Sequence, residues 1–212
     1  MGQLIAKDTG GSIAPIEEGV YQAACYLVCD LGTHHSDLWE KDQHKVLIGW
    51  ELPDVRITVE EDGEKVDRPR VISKQYTLSL GDRANLRHDL EAWRGRKFTS
   101  EELKAFNLEN LLGANCQIQV VHTEKNGKTY TNIGALMALP KGMPKKAGEL
   151  PALCYSLADA KPGSSMPPVP AWVQGIIAQS KEWIALSGET ELVTSTESDA
   201  PISTIKDEDI PF

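Results

Sequence analysis

The chain has 212 residues, which is room for one sizeable domain, and its 41% hydrophobic content is ordinary for a protein with a packed core. No apolar run is long enough to cross a bilayer and the N-terminus lacks a signal-peptide pattern, so we expect a cytoplasmic protein without membrane partners. The net charge of -9 argues, at first sight, against a nucleic-acid binder.

The opening part of the chain predicts a lead-in, a strand and a polar loop. Residues 1–18 show no sustained periodicity and are predicted to form a flexible lead-in. Apolar residues then alternate from Gly19 to Asp30, which predicts a first strand that ends at Gly32. Residues 33–44 are polar and predict a loop, in which the ring of Trp39 is costly to expose unless it packs or stacks on something.

Two further strands are predicted before the period of the pattern changes. Alternation from Lys45 to Leu52 predicts the second strand, and alternation from Val71 to Leu80 predicts the third. Between them, an acidic stretch from Asp54 to Asp67 predicts a loop with a turn at Asp62-Gly63. Val55, Ile57 and Val59 alternate within it, which leaves room for a short edge hairpin.

A helical period follows the third strand. Ser79 and Asp82 fit a capping box, and an apolar stripe at helical spacing ends before Gly95, which is expected to close the helix. The stripe consists of Leu86, Leu90 and Trp93. Thr99 and Glu102 fit a second capping box, which predicts another short helix before the chain returns to strand.

Three arginines share a face of the first predicted helix, beside the apolar stripe. They are Arg83, Arg87 and Arg94. Their common direction fits either a solvated helix face or a contact with DNA, and the pattern alone leaves both open.

The last two strands are predicted as a hairpin. Cys116 to Thr123 predicts the fourth strand and Lys128 to Leu139 the fifth, joined at Asn126-Gly127, a dipeptide typical of tight hairpin turns. A short apolar run from Leu150 to Leu157 leaves room for one more edge strand.

The C-terminal part predicts three segments. Residues 159–170 are rich in Pro, Gly and Ser and predict a linker, and residues 171–186 predict a short amphipathic helix with Trp172 and Trp183 facing inward. Residues 187–212 hold many acids and few apolar residues, which predicts a disordered acidic tail.

Cysteines and histidines suggest no cofactor and no metal site. The four cysteines lack CxxC spacing and are expected to be reduced, buried small hydrophobes. They are Cys25, Cys29, Cys116 and Cys154. A metal-dependent nuclease or other hydrolase that uses His34, His35, Asp37 and His44 is a weak alternative, because the spacing matches no metal template and no nucleophile–base pair is recognisable. We therefore expect a protein that is not an enzyme.

The order of the predicted elements is strand, strand, strand, helix, strand, strand. This order is that of the OB-fold, a mainly β, five-stranded Greek-key barrel that binds oligonucleotides through strands 2 and 3 and the loops between strands 1–2 and 4–5. We therefore predict an OB-fold domain over residues 19–158, with a helical insertion between strands 3 and 4.

The charge distribution removes the objection raised by the net charge. Residues 68–146 hold 14 basic and 7 acidic residues, a net charge of +7, whereas residues 187–212 hold 1 basic and 7 acidic residues, a net charge of -6. A basic middle beside an acidic tail is expected where a tail is held away from a surface that binds a polyanion.

The tail ends in three acids followed by an apolar tip. The acids are Asp207, Glu208 and Asp209, and the tip is Ile210, Pro211 and Phe212. Such an end has no fold to stabilise and is typical of a docking peptide, in which Ile210 and Phe212 fill an apolar pocket of a partner while basic residues there meet the acids. A tail that merely improves solubility is the alternative.

This tail closely resembles the acidic tip of bacterial single-stranded DNA-binding proteins. Three blocks of the predicted barrel resemble the phage and prophage members of that group, namely Tyr76-Thr-Leu-Ser-Leu, Trp93-Arg-Gly-Arg-Lys-Phe-Thr and Leu112-Gly-Ala-Asn-Cys. The resemblance implies a protein that coats single-stranded DNA during replication, recombination or repair and recruits host replication and repair proteins through its tip. The added helices mean that a tetramer is not implied, although a homo-oligomer is possible.

Candidate DNA-binding residues follow from the OB geometry. Cations must neutralise phosphates, and flat side chains must offer ring faces to unpaired bases. The candidates are Trp39 in the first loop, Arg70, Lys74 and Tyr76 along strand 3, and Lys125, Lys128 and Tyr130 around the 4–5 turn. A core position is the alternative for Tyr76. The rival function from another class is an adaptor that uses the tail without binding DNA strongly.

Overall fold

The computed structural model describes residues 14–61 and 63–188 and is mainly β, as predicted. Six strands are β1 Gly19–Ser36, β2 Lys41–Glu61, β3 Glu64–Thr77, β4 Asn115–Lys125, β5 Lys128–Ala138 and β6 Leu153–Tyr155. Four α-helices are α1 Asn85–Arg94, α2 Ser100–Lys104, α3 Ala171–Ala178 and α4 Lys181–Ser187. Helices α1 and α2 lie between β3 and β4 in the chain.

The strands form one open sheet in the order β3-β2-β1-β4-β5. All neighbours along this path are antiparallel, and the short β6 pairs parallel with β1. Strand β1 joins the two halves, because its first residues up to Ala24 pair with β4 and its later residues pair with β2. Irregular register at Cys25/Leu27 and at Asp30/Gly32 marks two bulges in β1.

Two predicted loops belong instead to long hairpins. The polar loop 33–44 is wrong for all but a turn at 37–40, because Thr33 pairs with His44 and Ser36 with Lys41. In the acidic stretch 54–67 the edge hairpin is confirmed in place of the loop, since β2 runs on to Glu61 and pairs with β3 from Glu64 onward. Residues 33–36 and 41–44 lack apolar alternation because solvent reaches their side chains, yet backbone pairing continues through them. In the acidic stretch, Val55, Ile57 and Val59 alternate and are half-buried.

Of the three predictions about helix ends, one is wrong and two are confirmed. Helix α1 begins after Ala84 without a side-chain cap, so the capping box at Ser79 and Asp82 is wrong. Gly95 closes α1 with a φ of 65°, as predicted. The capping box of α2 is confirmed, because the Thr99 hydroxyl accepts from the Glu102 backbone N–H and the Glu102 carboxylate accepts from the Thr99 backbone N–H.

The predicted C-terminal helix is two short helices. The hydroxyl of Ser180 accepts a hydrogen bond from the Trp183 backbone N–H at 3.1 Å and thereby starts α4 after α3 has ended. Val173 and Ile177 of α3 are fully buried, whereas Trp172 is 55% exposed, so its predicted inward orientation is wrong.

The main core lies between the strands and α1. It is built from alternate residues of the strands together with the apolar stripe of α1, including Val46, Ile48, Trp50, Leu52, Ile72, Tyr76, Leu86, Leu90, Trp93, Ile118 and Leu136. The rings of Trp50 and Trp93 meet with centroids 5.6 Å apart. Ile16 from the predicted lead-in is also buried in this main core, beside Arg70, whose Nη1 donates to the Ala14 carbonyl.

A second cluster covers the other side of β1. It joins Leu27, Cys29 and Leu31 of β1 to residues that follow β5, among them Leu157, Val169, Val173 and Ile177. We call residues 150–187 the C-terminal layer. The stretch predicted as a linker contributes Val169 to this layer. Because one side of β1 faces the main core and the other faces the layer, β1 is apolar on both sides.

A buried carboxylate anchors the start of the C-terminal layer. Glu51 of β2 is 0% exposed, and its two oxygens accept hydrogen bonds from the backbone N–H groups of Glu149 and Leu150, each at 2.8 Å. A buried charge is tolerated when donors satisfy it in this way. The contact holds residues 148–150 against β2 and fixes where the layer begins.

Candidate nucleic-acid interface

The turn between β1 and β2 carries an exposed aromatic ring and a cation. Trp39 is 58% exposed and Leu38 is 49% exposed, at the tip of the hairpin. The Lys41 Nζ lies 5.6 Å from the centroid of the Trp39 ring, within the range of a cation–π contact. The turn therefore presents an open ring face and a positive charge together, as a stacking site for an unpaired base requires.

The turn between β4 and β5 carries two cations and a second ring. Asn126 and Gly127 both have positive φ, at 53° and 71°, which the tight hairpin turn demands. This geometry places Lys125 directly opposite Lys128, and both side chains are exposed. The ring of Tyr130 is partly buried opposite Thr123. This turn is thus a second compact, positively charged projection.

The three candidates on β3 share the side of the strand that faces the main core. Arg70, Lys74 and Tyr76 lie on the same side as the buried Ile72, because side chains alternate along a strand. Tyr76 is 2% exposed, so its ring offers no face to a base. This burial fits the alternative interpretation of Tyr76 as a core residue.

Hydrogen bonds occupy these β3 side chains. The Lys74 Nζ lies 2.8 Å from Asp89 Oδ2 on α1, and the Tyr76 hydroxyl donates to the same oxygen at 2.7 Å. Arg70 donates to the Ala14 carbonyl at 2.8 Å, and burial lowers the pKa of its guanidinium. These groups join β3 to α1 and to the N-terminal segment. Lys74 is paired with the charge of Asp89, whereas the carbonyl that Arg70 contacts is neutral and leaves its positive charge in place.

The arginine face of α1 is largely engaged with acids. Arg87 bonds Asp82 at 2.5 Å and Glu91 at 3.1 Å. Arg94 pairs with Glu102, and its guanidinium carbon lies 4.3 Å from the centroid of the Phe98 ring. The hydrogen bond from the Phe98 backbone, followed by the bond from Arg87, holds the pKa of Glu91 below its usual value. These contacts favour a structural role for Arg87 and Arg94.

Of the histidines in the first hairpin, His44 contacts the C-terminal layer. His44 Nε2 lies 2.7 Å from Asp30 Oδ1, and its Nδ1 lies 3.7 Å from Glu182 Oε1 on α4. His34 bonds the Leu31 carbonyl, and His35 bonds Asp42. No three His, Cys, Asp or Glu side chains within the described part of the chain are grouped to hold a metal ion.

The cysteines are mostly core residues. Burial raises the pKa of both Cys25 and Cys29 to about 12 and raises that of Cys116 as well, so their thiols stay protonated. Cys154 is exposed, which makes the prediction of a buried position wrong for this residue.

Sequence reasoning missed several exposed residues. Lys41 follows Trp39 by two positions, and that spacing alone could have indicated a cation near the ring. Val71, Ser73 and Gln75 are exposed and uncharged on the outward side of the C-terminal half of β3. The alternation with the apolar Ile72 could have identified this side from the sequence.

No protein-family model matches this chain, and no curated protein is significantly similar to it. Among the described residues, no helix has the length and apolarity of a membrane-spanning segment. The predicted docking tip, Asp207 to Phe212, lies outside the described residues.

Proposed function

We propose that this protein binds single-stranded DNA through an OB-type barrel, using the β1–β2 and β4–β5 turns as its principal contacts. The strand order carries this proposal. A path of β3-β2-β1-β4-β5, with α1 following β3 in the chain, is the order from which a five-stranded OB barrel closes by bringing β3 next to β5.

Two features support a barrel that is partly open. Strands β3 and β5, the two ends of the sheet path, approach within 8 Å between Cα atoms. Arg70 of β3 and His122 of β4 both bond the N-terminal segment, at the Ala14 and Ile16 carbonyls, and Ile16 fills the main core between them. Residues 14–16 thus pack where the barrel would otherwise be open.

The chemistry of the two turns suits single strands better than duplex. Unpaired bases can stack on the exposed Trp39 ring, and stacking is worth about 1–3 kcal/mol per base. Lys41, Lys125 and Lys128 can neutralise phosphates and release their counterions. In a duplex the faces of the bases are already stacked on one another. Only the attraction between lysines and phosphates would then contribute to the affinity. Binding should therefore favour single strands without strong sequence preference.

The C-terminal layer limits where the strand can run. It buries Leu47 and Glu51 on the outward side of β2, so that surface is closed to DNA. Val71, Ser73 and Gln75 of β3 stay open. We infer that DNA crosses β3 and is held at its flanks by the two turns.

Substitutions in the two turns test this proposal. Trp39→Ala and Tyr130→Ala should each weaken oligo-dT binding by about 1–3 kcal/mol if each ring stacks one base. Lys125→Ala and Lys128→Ala should weaken binding to all sequences alike and reduce the salt dependence, by roughly 0.7 in the log–log slope for each lost phosphate contact. Lys104→Ala is the matched control, because Lys104 is an exposed lysine on α2. Unchanged binding in all four variants would refute the proposed interface.

The tail is proposed to recruit partners that act on the same DNA. The support is the sequence Asp207-Glu-Asp-Ile-Pro-Phe, in which acids precede an apolar tip. Phe212→Ala leaves the charge unchanged but removes the ring that would fill a partner's pocket. It should abolish most capture of replication and repair proteins from a bacterial lysate while leaving oligo-dT binding intact. Equal capture by both proteins would leave only a solubilising role for the tail.

One observation favours the adaptor as a second candidate. Lys74 and Tyr76 both bond Asp89 of α1, and Arg70 bonds the Ala14 carbonyl, so the candidate contacts on β3 are engaged within the protein. An adaptor would capture the same partners through its tail but would show no salt-dependent affinity for oligonucleotides.

A further inference from the structure

Helix α4 is attached to the first hairpin mainly by polar contacts. None of its seven residues, all of which the structure describes, is buried, although Trp183 packs partly against the second cluster. Lys181 pairs with Asp42 of β2. Glu182 accepts hydrogen bonds from the Thr33 backbone N–H at 2.7 Å and from the Thr33 hydroxyl at 2.5 Å. A change of charge or hydrogen bonding at this contact therefore changes how firmly α4 is held.

The imidazole of His44 lies between a carboxylate of β1 and the carboxylate of α4. Its Nε2 lies 2.7 Å from Asp30 Oδ1. Its Nδ1 lies 3.3 Å from the Thr33 hydroxyl and 3.7 Å from Glu182 Oε1. The side chain is 35% exposed, so a proton can reach the ring from solvent without unfolding of the hairpin.

The contact with Asp30 requires a hydrogen on Nε2 of His44. Asp30 Oδ1 also accepts from the Gly32 backbone N–H at 2.9 Å, and its Oδ2 accepts from the Leu157 backbone N–H at 3.1 Å. An ionised carboxylate only accepts hydrogen bonds, so the ring nitrogen at 2.7 Å must be a donor. A neutral ring then has a bare lone pair at Nδ1.

The hydroxyl of Thr33 has one hydrogen and two groups that compete for it. With a neutral ring, this hydrogen can go to His44 Nδ1 or to Glu182 Oε1, but not to both. With a protonated ring, both ring nitrogens donate, so that Nδ1 donates to the Thr33 oxygen while the hydroxyl hydrogen stays with Glu182. One added proton thus completes a chain of hydrogen bonds from β1 through β2 to α4.

We propose that His44 is a pH-sensitive latch, which holds α4 on the first hairpin when it is protonated and loosens α4 when it loses the proton. The protonated ring also places a positive charge between the carboxylates of Asp30 and Glu182, which repel each other without it. Histidine is the side chain that ordinarily changes charge between about pH 5 and 8, so the latch acts near neutral pH.

The other groups around the latch keep their charge in this pH range. The hydrogen bond from Lys181, followed by that from His35, holds the pKa of Asp42 below its usual value. Burial tends to raise the pKa of Glu182, but the bonds from Thr33 outweigh it and keep it low. Burial raises the pKa of Tyr155 on β6, so its hydroxyl stays neutral.

One further histidine touches the same contact between the hairpin and α4. His35 Nδ1 lies 3.3 Å from Asp42 Oδ1, and Asp42 pairs in turn with Lys181. Strand β3 meets this part of β2 at Thr77, which carries no charge. His35 is therefore the rival source of a pH response and offers a matched control.

The latch controls the attachment of the segment that leads into the acidic tail. Helix α4 ends at Ser187, and residues 187–212 carry a net charge of -6. A closed latch keeps α4 on the hairpin whose turn bears Trp39 and Lys41, and an open latch lengthens the tether of the tail by α4 itself. The latch concerns the attachment of α4 and does not depend on DNA binding.

Hydrogen exchange of the full-length protein between about pH 6 and pH 8 tests the proposal, with each rate divided by the intrinsic exchange rate at that pH. The reporters are the Thr33 amide, which donates to Glu182, and the Ile184 amide, which donates to the Ser180 carbonyl at 3.0 Å. Their opening constants in the wild type should rise about two- to tenfold with pH, as loss of one hydrogen bond does. Amides of β4 should stay unchanged.

Two matched substitutions assign the response to one ring. His44→Gln can still donate to Asp30 but does not titrate, so its α4 should match that of the wild type at pH 8 over the whole range. His35→Gln should keep the wild-type response. No response in the wild type, a response that persists in His44→Gln, or one that His35→Gln removes would overturn the proposal.

A third variant keeps the test decisive if His44→Gln unfolds the sheet, which loss of protection in β4 would show. Glu182→Gln leaves the His44 ring in place and changes a side chain that is 36% exposed. Its neutral amide no longer attracts the protonated ring, so the rise in opening between pH 6 and pH 8 should shrink to less than about twofold. A rise equal to that of the wild type would overturn the proposal.

Discussion

The two apolar clusters of the molecule share β1 but are built on different principles. The main core draws alternate residues from five strands and the stripe of α1, and its members contact one another from many directions. The second cluster rests on three residues of β1 and on Leu47 of β2, and it is covered by short helices and a proline-rich stretch. A strand that is apolar on both sides can therefore contribute to two clusters. The two clusters need not unfold with equal cooperativity.

We therefore expect a substitution in the main core to destabilise the whole sheet, and a substitution in the C-terminal layer to destabilise the layer alone. The main core connects sequence-distant strands, so that loss of one large side chain weakens every ladder. The layer is joined to the sheet by β6, by Glu51 and by the contacts of α4 with the first hairpin. It can loosen while the ladders between β1, β2, β3, β4 and β5 remain.

The largest effect is expected from Trp50→Ala. The side chain is 0% exposed and packs against Trp93, so its loss leaves a cavity that the surrounding strands cannot fill. The free energy of unfolding should fall by about 3–5 kcal/mol in chemical denaturation. A loss below about 1 kcal/mol would mean that the main core is not the principal source of stability.

Ile177→Ala should have a somewhat smaller and spatially restricted effect. The side chain is fully buried against β1, and its truncation should cost about 2–4 kcal/mol within the layer. Hydrogen exchange should accelerate in β6, α3 and α4 while β2 and β4 keep their protection. Ile184→Ala, at a position 38% exposed, is the control and should change little. Uniform acceleration over the whole sheet would show that the clusters unfold as one.

Gly32→Ala tests the contact between the first hairpin and α4. A Cβ at this position would lie 2.7 Å from Ser180 Oγ and 2.8 Å from Glu182 Oε2, and the φ of +79° adds strain. The expected cost is about 1–3 kcal/mol, with loosening of α4. Gly163→Ala has nearly the same φ, +84°, but meets nothing within 4 Å, so the difference between the variants isolates the close contact. Equal effects would show that α4 does not press on Gly32.

The smallest effect is expected from acidification. Burial tends to raise the pKa of Glu182, but hydrogen bonds donated by Thr33 outweigh it and hold the pKa below the usual value of 4.5. Because the pKa is depressed in the folded state, the stabilisation is present above pH 4.5 and is lost as the pH falls through the folded-state value. Hydrogen exchange in α4 should accelerate over that acidic range. Glu182→Gln should weaken α4 at neutral pH and flatten the acid response. An unchanged acid response in this variant would assign the effect to Asp42, whose pKa the bond from Lys181 lowers.

The strands could be predicted from the sequence where their inner side is buried. They could not be predicted where both sides are exposed to solvent. Alternation predicted the interior parts of β1, β2, β4 and β5, because Val46, Ile48 and Trp50 must face the core. The hairpin ends were missed, since residues 33–36 and 41–44 pair through the backbone without an apolar side. The break at Ser180 was missed as well, because the apolar pattern continues across it.

The exposure of the two candidate turns was predictable from the sequence, whereas the contacts of the β3 candidates were not. Asn126-Gly127 dictates a tight turn, and Trp39 stands in a polar segment, so exposure of both turns followed from local chemistry. On β3, Lys74 and Tyr76 bond Asp89 of α1, a contact that depends on how the helix packs. The C-terminal layer covers the outward side of β2. This contact likewise depends on tertiary packing, and the sequence pattern of β2 does not indicate it.

The most direct test of the proposed function is a titration of oligo-dT into the full-length protein, followed by Trp fluorescence at several salt concentrations, with duplex DNA of equal length as the comparison. We expect quenching as bases stack on Trp39, an affinity that falls steeply with salt, and much weaker binding to duplex. Equal affinity for duplex and single strand, or no binding even at low salt, would contradict it.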